Sequence, residues 1–318
     1  MTSTVFLLEN LPNELIIELL KYFKAQELFQ SFYNLNIRFN SLIKSLTHLI
    51  YSTKQNDNHI LSYPYIRTLI IDTKIQDQLR YFTNIRRLIL DYATDDFISQ
   101  FNGNILPNLE YLSIYHKIHP FYMPDLRTKI FSNTFPNLKY CYISRMRPPC
   151  TIQEWTQSLS LRFLKVNEIN SFIYTSILQA CPNLYFLKFK LPIKSKIQSN
   201  IIKHMNLKRL IINMNYDDWP WDDTILEDYF SCVPNLEHFR ISRSITIDEN
   251  TIHYLQCYDW LLGIISSHLF SLYQFKFDLC VNRFNQLNEL DFQDICYRLK
   301  TKFNNVYHGR YESRLVVF

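Results

Sequence analysis

The apolar positions of the chain repeat one short phrase: apolar, two residues, apolar, one residue, apolar. It stands as Ile66-x-x-Leu69-x-Ile71, Ile85-x-x-Leu88-x-Leu90, Leu109-x-x-Leu112-x-Ile114 and Leu138-x-x-Cys141-x-Ile143. It continues as Leu161-x-x-Leu164-x-Val166, Leu184-x-x-Leu187-x-Phe189, Leu207-x-x-Leu210-x-Ile212, Leu236-x-x-Phe239-x-Ile241 and Leu272-x-x-Phe275-x-Phe277. The starts are separated by 19, 24, 29, 23, 23, 23, 29 and 36 residues. The last two apolar positions of each copy alternate with period two, so they share one face of a short strand. Four copies open with Pro-Asn-Leu, at Pro107, Pro136, Pro182 and Pro234. Helical signals precede the strands. Thr151-x-x-Glu154 and Thr224-x-x-Glu227 are capping boxes, and Ser171 to Cys181 reads as a further helix. The proline then stops the helix, because it lacks an N–H and disfavours helix in the residue before it. Each unit is therefore helix, stop, strand. Stacked units predict a curved α/β solenoid, with parallel strands on the concave side and helices on the convex side.

Residues 8–46 stand outside this pattern and read as three short helices. Pro12 suits a first helical turn, and Glu14 suits the positive end of the helix dipole. Leu15, Ile16, Leu19, Leu20 and Phe23 form one apolar stripe. Leu28, Phe29, Phe32 and Leu35 form a second, and Phe39, Leu42, Ile43 and Leu46 a third. Helices this short bury little area among themselves, so apolar surface is left for the repeats or for another protein.

Composition narrows the function. The 318 residues include 22 Tyr and 24 Phe but only 3 Gly, and neither glycine-rich phosphate-binding signature is present. The apolar run Val5 to Leu8 lacks a preceding basic residue and ends at Glu9, unlike a signal peptide. No apolar stretch approaches the roughly 20 residues that span a bilayer. These features predict a soluble protein of the cytoplasm or nucleus, with no membrane partner. The seven cysteines form no C-x-x-C pair and read as reduced, buried thiols. The net charge of +5 is dispersed and predicts no nucleic-acid partner. His116-x-x-His119 has no further ligand at metal spacing, and no nucleophile elbow occurs. No catalytic residue, metal or cofactor is expected.

The repeated phrase resembles the leucine-rich-repeat family over about residues 60–280. Ala180-Cys181-Pro182-Asn183-Leu184 looks like its cysteine-containing subtype, and Ser231-Cys232-Val233-Pro234-Asn235-Leu236 is a looser copy. One departure is the family's asparagine after the strand. Here only Asn215 stands near that place, which implies irregular turns.

The opening segment resembles the F-box. The matching residues are Leu11-Pro12-x-Glu14-Leu15-Ile16-x-x-Leu19-Leu20-x-x-Phe23, then Leu28, Leu35 and Arg38-Phe39-Asn40 to Ile43. The resemblance implies a module at residues 1–50 followed by repeats at 51–318. It implies docking on the Skp adaptor of a cullin–RING (SCF-type) ubiquitin ligase through Leu11, Pro12, Leu15, Ile16, Leu19, Leu20 and Phe23. The repeats would then capture a protein substrate for degradation. The alternative is a non-catalytic scaffold in which residues 8–46 cap the first repeat.

Charge marks a candidate substrate face. No acidic residue stands between Glu168 and Asp217, while Lys188, Lys190, Lys194, Lys196, Lys203, Lys208 and Arg209 do. The next stretch, Asp217-Asp218-Trp219-Pro220-Trp221-Asp222-Asp223, is acidic and aromatic. Lys188 and Lys190 occupy the non-core positions of their strand and should point onto the open face. Trp219 and Trp221 would sit in a loop beside it, as residues of a type that dominates binding energy.

Overall fold

A computed structural model describes residues 8–46, 49–52, 65–71, 79–91, 101–115, 124–144, 155–191, 203–214, 224–246, 259–282 and 289–317. The fold is α/β, with eleven described strands, all parallel to their described neighbours. The chain forms two compact units. The first holds residues 1–129 and 134–138, and the second holds 130–133 and 139–318.

The first unit begins with a 3-10 turn at Leu8–Asn10 and three helices, α1 (Asn13–Leu20), α2 (Ala25–Ser31) and α3 (Ile37–Ser45). Strands β1 (Ile50–Ser52), β2 (Thr68–Ile71), β3 (Arg87–Leu90) and β4 (Tyr111–Ile114) follow, each beside the one before it. Helix α4 (Pro124–Phe131) lies where the chain passes from the first unit to the second. The second unit runs β5 (Tyr140–Ile143), β6 (Phe163–Glu168), α5 (Ser171–Ala180), β7 (Phe186–Lys190), β8 (Arg209–Met214), α6 (Thr224–Ser231) and β9 (His238–Thr246). It ends with α7 (Asp259–His268), β10 (Gln274–Asn282), α8 (Glu289–Tyr307) and β11 (Glu312–Val317). Its strands also pair in chain order.

The repeated phrase sets this order. Every apolar position of the nine copies is at most 6% exposed. The second apolar residue of each copy meets its counterpart across the pairing, Leu69 to Leu88 to Leu112 in the first unit. In the second unit the row is Cys141, Leu164, Leu187, Leu210, Phe239 and Phe275. A slip of one residue would turn each of these side chains to the other face, at about 1.5–3 kcal/mol for each one exposed. A tenth copy precedes the nine: Leu46-x-x-Leu49-x-Tyr51 ends in β1 with all three residues buried. It ends in Tyr51, whose hydroxyl sets it apart from the Ile, Leu, Val and Phe that end the other copies.

Helices pack on the buried side of the second unit's strands. Tyr174 of α5 lies 5.5 Å from Phe189 and 4.6 Å from Tyr229, ring to ring. Phe230 of α6 meets Phe239 edge-on at 4.9 Å, and Phe303 of α8 lies 5.9 Å from Phe275. Asparagines supply much of the local chemistry. Asn36 and Asn170 cap α3 and α5, accepting from the N–H of Phe39 and Ile173 at 2.9 Å each. Asn34 and Asn133 take the positive-φ turns that glycine often fills. Gly103 is required for a different reason: a Cβ there would stand 2.2 Å from the carbonyl oxygen of Thr134.

An asparagine just before four of the strand phrases ties each to the copy before it. Asn137 donates from Nδ2 to the Pro107 carbonyl at 2.9 Å. In the second unit Asn183 donates to Leu159 at 3.0 Å, Asn206 to Pro182 at 2.8 Å and Asn235 to Met205 at 3.2 Å. In each case the acceptor is two residues before the previous copy's first apolar residue. In three of its four copies the Pro-Asn-Leu signature therefore supplies an inter-copy clamp as well as a proline. His204 is a buried member of the same stack. Its Nδ1 accepts from the Leu207 N–H at 3.0 Å, so Nε2 carries the proton and donates to the Cys181 carbonyl at 2.8 Å. Its own N–H donates to the Cys232 carbonyl at 2.7 Å. The neutral ring spans neighbouring copies.

Two predictions follow from these clamps. Asn183→Ala and Asn206→Ala should each lower stability by about 1 kcal/mol in denaturant unfolding, while Asn304→Ala, at an exposed position of α8, should not. Burial, opposed by the backbone hydrogen bonds, holds the pKa of His204 below its usual 6.5. The unfolded chain therefore binds the proton more readily than the folded one. The neutral ring's contribution is complete above about pH 6.5 and falls as the pH drops through the folded value. Melting temperature should fall more steeply between pH 6.5 and 5 for the wild type than for His204→Gln.

Candidate functional site

The helical segment of the first unit has a buried and an exposed side. Ile16 and Leu20 of α1 are fully buried, as are Leu28 of α2 and Ile43 of α3. Ile16 and Leu20, which the F-box resemblance assigns to the docking face, therefore lie in the core and are not offered to a partner. Leu15, at 54% exposed, and Leu19 and Phe23, at 37% each, stand on the outside. Leu11 is half-buried and Pro12 exposed. Tyr22, Leu35 and Ile37 add further exposed apolar surface that a single-helix stripe does not reveal. Large exposed apolar side chains are thus concentrated in one short segment.

A polar staple fixes that presentation. Arg38 on α3 donates from Nε to Asn13 Oδ1 at 2.8 Å and from its terminal nitrogens to the Glu9 and Leu11 carbonyls. Asn36 Nδ2 donates to Glu9 Oε1 at 2.9 Å. The guanidinium thereby holds the entry to α1 against α3. Behind the helices, Gln26 donates to the Ser52 carbonyl of β1 at 2.6 Å, tying the segment to the first strand.

The second unit presents its other strand face uncovered by the helices that pack on the core side. Lys188 and Lys190 lie on it and are half-buried. Strand register lines Lys188 up with residues that sequence spacing alone does not connect. The row runs Lys165, Lys188, Ile211, Arg240, Lys276 and Arg314 across β6 to β11. The row beside it begins Tyr140, Phe163 and Phe186, with the first two rings stacked at 4.6 Å, and continues Arg209, His238, Gln274 and Glu312. Asp278 sits one step along from Lys276, only 3% exposed. It accepts from Arg240, lies 3.0 Å from the Lys276 ammonium, and takes a 3.3 Å bond from Ser242. Burial, then the charges of Lys165 and Arg240, pull the pKa of Lys188 below the usual lysine value, with Asp278 opposing.

Trp219 and Trp221, the His116 and His119 pair, Asn215 and the Thr151–Glu154 capping box lie outside the described residues. Cys141, Cys181 and Cys232 are buried as expected. Burial pushes the thiols of Cys141 and Cys181 far up and that of Cys232 to about 11, so they stay protonated and unreactive. Cys280 departs from the expectation of buried thiols: it is exposed, because it continues the open-face alternation of Lys276 and Asp278. Cys296 on α8 is half-buried. Among the described residues, no helix is long and apolar enough to cross a membrane. No model of a known protein family matches the chain, and no curated protein matches it at a significant level.

Removing the Asp278 carboxylate leaves Arg240 and Lys276 side by side without their counter-charge. Asp278→Ala should cost about 2 kcal/mol in urea unfolding, and Asp278→Asn, which keeps hydrogen-bond acceptance, should cost less.

Proposed function

We propose that the chain is the substrate-recognition adaptor of an SCF-type cullin–RING ubiquitin ligase, with an F-box-like segment at its start and leucine-rich repeats after it. The observation that carries this reading is the exposed apolar set of Leu15 and Leu19 on α1, whose opposite side is buried, and Phe23 in the turn after it. A segment that only capped the first strand would gain nothing by holding these residues in water. In this reading Leu11, Pro12, Leu15, Leu19 and Phe23 meet the Skp adaptor, and Ile16 and Leu20 keep α1 seated. The repeats form a curved solenoid whose concave strand face captures a protein substrate. Catalysis resides in other subunits, and this chain acts by bringing the substrate close.

A second reading is favoured by the bond from Gln26 to Ser52 and the packing of α2 on β1. There the helices cap a non-catalytic scaffold of repeats, with no ubiquitin role.

A pull-down of the purified full chain with the Skp adaptor separates the two. Because Leu15 and Leu19 are exposed, Leu15→Asp/Leu19→Asp should leave the melting temperature within a degree or two yet abolish capture, since docking would bury two unpaired carboxylates. Absence of wild-type capture would favour the cap.

A further inference from the structure

The open face of the second unit gathers like charges that the fold does not need. Lys165, Lys188, Arg240, Lys276 and Arg314 share one register row, interrupted only by Ile211. Like charges aligned on neighbouring strands destabilise a sheet. The buried carboxylate nearest the row, Asp278, is already taken by Arg240 and Lys276. Among the described residues, Lys165, Lys188 and Arg314 have no ion pair or hydrogen bond from their side chains. Burial first, and then the charges of Lys165 and Arg240, hold the pKa of Lys188 down. A row held against its own repulsion is matched by an anionic partner. The surroundings define that partner further. The aromatic end of the neighbouring row, Tyr140, Phe163 and Phe186, lies beside Lys165 and Lys188. A recess of about 340 Å³ opens toward the other end, where Arg209, His238, Arg240, Lys276 and Arg314 outnumber the one carboxylate of its lining, Glu312. Six strands at about 4.8 Å spacing make the row about 24 Å long, which an extended peptide of about seven residues spans.

We propose that this row holds an extended acidic segment of a partner protein, its carboxylates over Lys165, Lys188, Lys276 and Arg314 and an apolar side chain on the Phe163–Phe186 platform. The segment lies across the strands. Glu168 and Glu312 at the two ends of the face disfavour a uniformly charged polyphosphate and limit the length of acid accepted. A carboxylate of the segment fits the recess beside the guanidinium of Arg209, while Gln274 there is already engaged by His238 and Glu312. This inference deepens the adaptor reading by naming the class of substrate segment. It needs no Skp adaptor for its test, so the two can fail separately.

The experiment titrates the purified full chain against a fluorescein-labelled octapeptide with alternating glutamates and one central phenylalanine, read by anisotropy at 50 and 300 mM NaCl. The expected result is saturable binding, weakened at least tenfold by the higher salt. Lys165→Glu/Lys188→Glu should weaken binding at least thirtyfold, while Lys300→Glu/Lys302→Glu on α8, with the same change in net charge, should leave it within threefold. Lys188→Gln should weaken binding and also raise the melting temperature, because it removes repulsion that the free protein carries. A purely structural lysine would not show both changes. Three outcomes would overturn the proposal: no preference for the glutamate peptide over its lysine counterpart, equal losses in the two double variants, or tighter binding of an oligothymidylate of equal charge.

Discussion

A strand phrase with two alternating apolar residues can be satisfied only if its neighbour presents the same phase. That constraint orders each unit. Leu69, Leu88 and Leu112 face one another across the first unit's strands, and Cys141 to Phe275 do so across the second's. Segments between copies vary in length, yet the register does not drift across most pairings. The exception is β6 with β7, where the pairing shifts after Lys165. Variable length is tolerated because loop closure costs grow slowly with length, whereas a register slip exposes several apolar side chains together.

Apolar phase alone leaves the ends of the strands free to slide or splay. Polar groups prevent this. The asparagine before four of the phrases reaches back to the previous copy's carbonyl, and His204 does the same from a buried position while capping Leu207. These bonds satisfy backbone groups that the turn between helix and strand would otherwise strand without partners. At the start of the chain, Arg38 and Asn36 perform the equivalent task for three helices too short to be stable alone. Holding α1 by polar contacts at its entry, and by Ile16 and Leu20 beneath it, leaves Leu15 and Leu19 outward.

The same register that stacks apolar residues on one face stacks the intervening residues on the other. Cations separated by 23 to 38 residues in sequence thereby become neighbours at strand spacing. The buried Asp278 offsets part of the resulting repulsion, between Arg240 and Lys276. A face of this kind is set by stacking, so a change in one strand's register would alter both the core and the charge pattern.

The strands and their order were legible in the sequence because period-two alternation and a recurring phrase are local signals. The buried set Ile66 through Phe277 could be read without a structure, as could the outward placement of Lys188 and Lys190. Three things were not. The copy ending at Tyr51 departed from the Ile, Leu, Val and Phe endings of the others, the asparagine clamp depended on where the previous copy's carbonyls point, and the cation row depended on pairing across β6 to β11. The helical stripe named Ile16 and Leu20 beside Leu15 and Leu19, yet only packing divided them into inside and outside. Sequence periodicity determines which residues share a face of one element. Which of those faces is covered, and which distant residues become neighbours on it, is decided by the tertiary register, because burial and charge act between elements rather than along them.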